Sequence, residues 1–320
     1  MRTPSFWYRP PGAAAVLLSP LTCFWRVGGF VRRLVASPYR AGKPLICIGN
    51  IVAGGAGKTP AALAIAHRLL ESGHSPVFVS RGYGGSERGP LRVDPDRHSA
   101  REVGDEALLL ARRAPTFIGR DRVAAIREAE KHGSHIVLDD GLQNPSVVPD
   151  IAFLVIDGAT ALGNGFLIPA GPLRESLAEA MRRITAIILV GENVEQKIAG
   201  RARCPIVRAS WQPNLPDDFP RGEKFIAFAG IARPEKFYAT CRKAGLTLIG
   251  TEEFSDHHLF TGRELAQLRQ QTEKQKARLL TTEKDWMRLP NDFRAQVTAF
   301  PVTLVFEDEG VIKRLLNLPQ

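Results

Sequence analysis

The segment Ala53 Gly54 Gly55 Ala56 Gly57 Lys58 Thr59 follows the apolar run Leu45 Ile46 Cys47 Ile48 and precedes an Ala/Leu/Ile-rich stretch at 60–70. This order of strand, glycine-rich turn and helix constrains the chain more than any other feature. Backbone N–H groups of such a turn converge on an anion, and the following helix adds the attraction of its dipole. Lys58 reaches the outer phosphates of a nucleotide, and Thr59 carries the hydroxyl that ligates Mg²⁺ in loops of this kind. The general phosphate-loop pattern asks for glycine where this chain has Val52, so the match is to the GGxGKT variant. Ala53 stands where members of that class often carry a lysine. A purely structural turn is the competing reading, and the flanking strand and helix argue against it.

Further apolar strands are read at 75–80, 116–118, 135–138, 151–156 and 186–190, separated by helical spacing. Continuous apolar strands alternating with helices predict an α/β fold: a P-loop NTPase-like parallel sheet with helices on both faces. Ligands of such sheets bind at the carboxyl ends of the strands. There lie the glycine-rich turn, Arg81 with Gly82 Tyr83 Gly84 Gly85, and Asp139 Asp140 Gly141. Asp139 or Asp140 suits the metal or phosphates; Asp157 is a rival at another strand end, and a cap or turn is the plainer role. A proline-rich stretch at 204–224 predicts a boundary, followed by a second, smaller α/β unit. The expected domains are 1–36, 37–212 and 213–320, the last closing over the active site.

Of 320 residues, 44% are hydrophobic and 24% charged, values of a soluble globular protein rather than a polytopic membrane protein or a disordered chain. Cys23, Cys47, Cys204 and Cys241 form no CxxC pair, which argues against a structural zinc site and a disulfide framework. The net charge of +10 favours an anionic partner, but no RNA-binding or zinc-finger motif supports nucleic acid. Residues 13–31 are apolar but interrupted by Pro20 and Arg26, so a bilayer span is not expected. Trp7, Tyr8, Phe24 and Trp25 beside Arg9, Arg26, Arg32 and Arg33 fit a helix lying in a membrane interface, against the alternative of a helix packed on the domain.

Gly104 Asp105 Glu106 opens a helix, where carboxylates also serve as caps. Asp256 His257 His258 follows a strand of the second unit; capping is again the plainer reading, and a carboxylate–imidazole dyad is the functional one.

Taken together, the GGAGKTP loop with Gly49 Asn50, Ser80–Gly85 (SRGYGG), Gly104 Asp105 Glu106, Asp139–Gln143 (DDGLQ), Pro169–Glu175 (PAGPLRE), Ala229 Gly230 Ile231, Asp256 His257 and Thr282 Glu283 Lys284 Asp285 resemble the tetraacyldisaccharide 4′-kinase family of lipid A biosynthesis over nearly the whole chain. The resemblance implies transfer of the γ-phosphate of ATP, with Mg²⁺, to the 4′-hydroxyl of a tetraacyldisaccharide 1-phosphate. It implies a peripheral enzyme at the cytoplasmic face of the bacterial inner membrane, attracted to an anionic surface, with no obligate protein partner. By the same resemblance, Ala53, Gly54, Gly55, Ala56, Gly57, Lys58, Thr59 and Pro60 bind the nucleotide. Asp105 accepts the hydroxyl proton with help from His257, Lys58 assists transfer, and Thr59, Glu106 and Asp139 serve the metal. Arg81, Arg120, Asp140, Gln143 and Arg174 are its substrate-contact candidates. Asn144 departs from the histidine that many relatives place after DDGLQ, and His258 does not inherit the role of His257. The alternative function is a P-loop switch or assembly ATPase, which shares the GGxGKT variant.

Overall fold

The computed structural model describes residues 4–319 apart from Ala56, residues 192–197 and Ala199. Among the described residues, nine strands form one large sheet in the order Val302–Phe306, Ile206–Pro213, Ala186–Val190, Ile151–Asp157, Leu45–Gly49, His135–Asp139, Pro76–Ser80, Thr116–Ile118, Leu91–Arg92. All neighbouring pairs are parallel except the outermost pair at each edge. The alternation of strand side chains explains the two helical layers. Ile46, Ile48, Phe78 and Phe153 face helix Lys58–Glu71, whereas Cys47, Val77, Val79 and Leu138 face helix Arg122–Ala129. The expected α/β architecture is therefore present.

The smaller sheet is wholly parallel, in the order Thr247–Glu253, Lys224–Ala229, Arg278–Thr282, Val297–Phe300. Helix Pro234–Lys243 covers one face through Phe237, Tyr238 and Cys241, and helix Gly262–Gln275 the other through Leu265 and Leu268.

The carboxyl end, assigned from sequence to the second unit, returns to the large sheet. Val302–Phe306 pairs antiparallel with Ile206–Pro213. The reason is apolar: Leu304, Phe306, Ile312, Leu316 and Leu318 are buried against the layer that holds helix Lys58–Glu71. The small unit is thus inserted between the last two strands at one side of the large sheet, and the first of them, Ile206–Pro213, runs through the start of the proline-rich stretch.

At the amino end, Ala13–Leu18 and Thr22–Leu34 are α-helices joined by a 3₁₀ turn at Ser19–Leu21. The stretch Ala13–Leu34 is 22 residues long and contains an 18-residue window of mean hydropathy 1.5, which by length and composition alone is enough to cross a membrane; length and composition do not test the interruption by Pro20 and Arg26. Its apolar side chains are largely uncovered, Leu17 being 80% and Phe24 76% exposed.

Because Phe306 is buried in the large sheet's core, Phe306→Ala should cost about 3–5 kcal/mol of stability. Denaturant unfolding followed together with nucleotide binding checks this; loss confined to the small unit would contradict the pairing.

Candidate active site

Strand Leu45–Gly49 delivers the chain into the loop, and Asn50 begins to shape it. The fully buried Asn50 amide donates to the carbonyl of Val52 at 2.8 Å and to that of Gly54 at 3.4 Å. Gly57 caps helix Lys58–Glu71 with φ +84°, a left-handed conformation, and a Cβ there would sit 3.1 Å from the Trp211 ring. The left-handed backbone favours glycine, and the close ring leaves little room for a side chain. Ala53, Gly54, Gly55, Lys58, Thr59 and Pro60 lie in this loop and helix start as expected; Ala56 lies outside the described residues.

Behind the loop, Thr59 Oγ1 donates to Asp139 Oδ2 at 2.9 Å. Asp139 is 1% exposed, and its Oδ1 has no hydrogen-bond partner among the described residues. Burial, reinforced by the charge of Glu106 and opposed by Lys58, pushes its carboxyl up to about 7. A buried carboxylate with one oxygen unsatisfied, next to a loop hydroxyl, suits a divalent cation. Among the described residues no group of three or more His, Cys, Asp or Glu side chains could hold a metal ion. Mg²⁺ does not require one, since it keeps waters and takes substrate phosphates.

Asp140, at φ +56°, faces the other way. It lies 3.8 Å from Lys58 Nζ and 3.4 Å from Arg174. Arg174 also donates to Gln143 Oε1 at 3.3 Å, and the Gln143 amide donates to the Asn50 carbonyl at 2.7 Å and to Glu175 at 2.9 Å. The candidates Asp140, Gln143 and Arg174 are therefore one bonded group beside the phosphate loop. Arg32 donates to the Gln143 carbonyl at 2.8 Å and Trp25 to that of Arg174 at 2.7 Å, which fastens the amino-terminal helix to this group.

The second unit completes the site. Gly104, at φ +87°, would place a Cβ 2.4 Å from the Tyr83 carbonyl, so glycine lets the 82–85 loop press against the start of helix Asp105–Ala111. Asp105 is 4% exposed and lies 3.2 Å from His257 Nδ1. Burial alone would raise its carboxyl, but the His257 bond and the charges of Lys284, Arg288 and His257 together hold it well below the usual range. Lys284 Nζ sits 3.3 Å from His257 Nε2 and 3.0 Å from Glu106. Arg288 Nη2 lies 3.5 Å from the other ring nitrogen, Nδ1. The Tyr83 ring meets the His257 ring edge-on at 5.6 Å.

The other candidates have different surroundings. Asp157, the rival carboxylate, is engaged by Arg233 at 3.2 Å and Lys236 at 3.0 Å. His258 pairs with Glu264 at 3.0 Å as part of a helix cap. Arg81 and Arg120 are exposed. The buried arginine of this region is Arg122, whose guanidinium donates to the Gly119 carbonyl; burial and the neighbouring Arg81 push its pKa down to about 10. Reading the sequence overlooked Arg122, although a basic residue directly after the helix-capping Asp121 was a visible signal. Arg288 gave no such signal.

Fold and site together place the chain among P-loop phosphotransferases. A family model for tetraacyldisaccharide-1-P 4′-kinases matches residues 14–320. The chain is 44% identical to the tetraacyldisaccharide 4′-kinase of Rhodospirillum centenum, over 99% of this chain and 96% of that one. It is 47% identical to that of Parvibaculum lavamentivorans, over 90% and 87%. It also resembles a crystal structure of LpxK from Aquifex aeolicus in complex with ATP, with TM-score 0.76, 23% identity and coverage of 95% and 98%, a likeness of fold. The chain belongs to the tetraacyldisaccharide-1-P 4′-kinase family and is a lipid kinase. Nothing in these matches favours a switch or assembly ATPase.

The neutral form of Asp139 is favoured by the fold, since its carboxyl is raised from 3.8 to about 7. Its contribution to stability is therefore present at low pH and lost as pH rises toward 7. In metal-free buffer, Asp139→Asn should lose less stability between pH 5 and pH 8 than the parent does, as read from urea midpoints. Identical losses would contradict the assignment.

Proposed function

We propose that this chain phosphorylates the 4′-hydroxyl of a tetraacyldisaccharide 1-phosphate with ATP as donor and Mg²⁺ as metal, using the site between the two units. The observation that carries the residue assignment is the His257–Asp105 contact of 3.2 Å, which sets a second-unit imidazole on a carboxylate next in sequence to Glu106, whose charge reaches Asp139.

Lys58 and the loop amides hold the outer phosphates, and Thr59 and Asp139 hold the metal, with Glu106 close enough to raise Asp139. Bound there, Mg²⁺ neutralises charge on the transferring group. Asp105 takes the hydroxyl proton. Its depressed pKa keeps it ionised and available, and a loose phosphoryl-transfer transition state asks little of a base beyond position. His257 orients it. Asp140, Gln143 and Arg174 form the acceptor side of the site, and Arg81, Arg120 and Arg122 are its further phosphate contacts. Residues 37–213 with 302–320 act as the kinase unit and 214–301 as the cap that brings His257.

A lipid A precursor lives in a bilayer, so its kinase is membrane-associated. The exposed apolar side of Ala13–Leu34 supports docking at the interface on the cytoplasmic face, where ATP is available. The bonds from Trp25 and Arg32 to the acceptor-side loops support a helix that lies against the enzyme rather than leaving it.

Asp105→Ala should reduce transfer of labelled phosphate from ATP to the disaccharide by roughly 10²–10⁴ while leaving affinity for an ATP analogue nearly intact. Parallel loss of nucleotide binding would refute the proton-acceptor role. Removing residues 1–36 should abolish sedimentation with anionic vesicles and spare nucleotide binding; unchanged sedimentation would refute the docking role.

A further inference from the structure

Segment Glu283–Trp286, with the turn through Leu289, lies along helix Asp105–Ala111 and grips both of its ends. At the amino end Lys284 meets Glu106 and Arg288 meets Asp105. At the carboxyl end the Arg112 guanidinium lies 4.9 Å over the Trp286 ring, and Arg113 reaches Glu283 at 3.5 Å.

Arg288 is the most enclosed of these groups, its side chain only 2% exposed. Nε donates to Asp105 Oδ2 at 2.5 Å, and the second terminal nitrogen, Nη2, contacts the same oxygen. Nη1 donates to the Gly230 carbonyl at 2.7 Å and to Asp285 Oδ1 at 2.7 Å. All three nitrogens are held, so the planar fork cannot turn. Seen from Asp105, Oδ2 takes Arg288 and His257, whereas Oδ1 accepts only the Glu106 N–H, at 2.8 Å, among the described residues. The lone pair left for an incoming hydroxyl is therefore on Oδ1.

We propose that Arg288 is a positioning residue for phosphoryl transfer: from the second unit it fixes Asp105 Oδ2 and thereby aims Oδ1 at the acceptor hydroxyl. This rests on the reading of Asp105 as proton acceptor. In the step, the hydroxyl proton passes to Oδ1 while the hydroxyl oxygen bonds to the γ-phosphorus and the bond from that phosphorus to the departing ADP oxygen breaks. Arg288 is more than a strap between the units, because Lys284 with Glu106, and Arg233 and Lys236 with Asp157, already join them.

The test uses the full chain in mixed micelles with ATP, Mg²⁺ and the disaccharide 1-phosphate, comparing Arg288→Gln, Arg288→Lys and Asp105→Asn. Misaiming a reacting group by about 1 Å costs on the order of 10²-fold, so Arg288→Gln should lower kcat roughly 10- to 100-fold with KM for ATP within about twofold. Arg288→Lys should regain only part of the rate, because an ammonium restores charge without the fork. A folded Arg288→Gln protein with the parent kcat, or full rate in Arg288→Lys, would overturn the proposal. Should Arg288→Gln not fold, Asp285→Asn loosens the rear of the guanidinium and should lower kcat at unchanged KM for ATP; an unchanged kcat there would equally overturn it. Undiminished transfer by Asp105→Asn would instead sink the proton-acceptor reading, whereas its loss beside a normal Arg288→Gln sinks only the positioning role.

Discussion

Asp105 is a carboxylate almost removed from water, and it stays ionised only because cations of the second unit surround it. A buried anion left alone would take up a proton or destabilise the fold. Packing of the small unit and the charge state of Asp105 are thus one physical condition. The same contact carries His257 to its place, with Lys284 3.3 Å from its Nε2. Everything the site can do depends on this junction between the two sheets.

Across the cleft the electrostatics run in the opposite sense. Asp139 is equally buried but meets a hydroxyl rather than a guanidinium, so its carboxyl rises where that of Asp105 falls. Two similar side chains thus have different surroundings: both oxygens of Asp105 are bonded, whereas Asp139 Oδ1 has no hydrogen-bond partner among the described residues. Neighbouring Asp140 avoids burial by turning through a left-handed conformation toward Lys58 and Arg174. Adjacent aspartates at one strand end thereby meet different partners, Thr59 in one case and Lys58 with Arg174 in the other.

The amino-terminal helices reach the loops beside this arrangement. Their outward apolar side chains are uncovered, while Trp25 and Arg32 bond to backbone carbonyls of Arg174 and Gln143. A helix seated at a lipid interface would therefore set the height of the acceptor-side loops above it.

The sequence by itself determined the phosphate loop, the parallel sheet and the convergence of strand-end residues. These follow from local rules: glycine at a left-handed turn, apolar runs too continuous for a one-sided sheet, and ligand sites at carboxyl ends. The motifs also carried the family and the Asp105–His257 pairing. Only the tertiary structure decided that Asp139 Oδ1 has no hydrogen-bond partner among the described residues, that Asp157 is claimed by Arg233 and Lys236, and that Val302–Phe306 returns to the first sheet. Arg288 was invisible for the same reason: it meets Asp105 across 183 positions of chain. Its partner is chosen by how two separately folded sheets pack, and no local pattern encodes that contact.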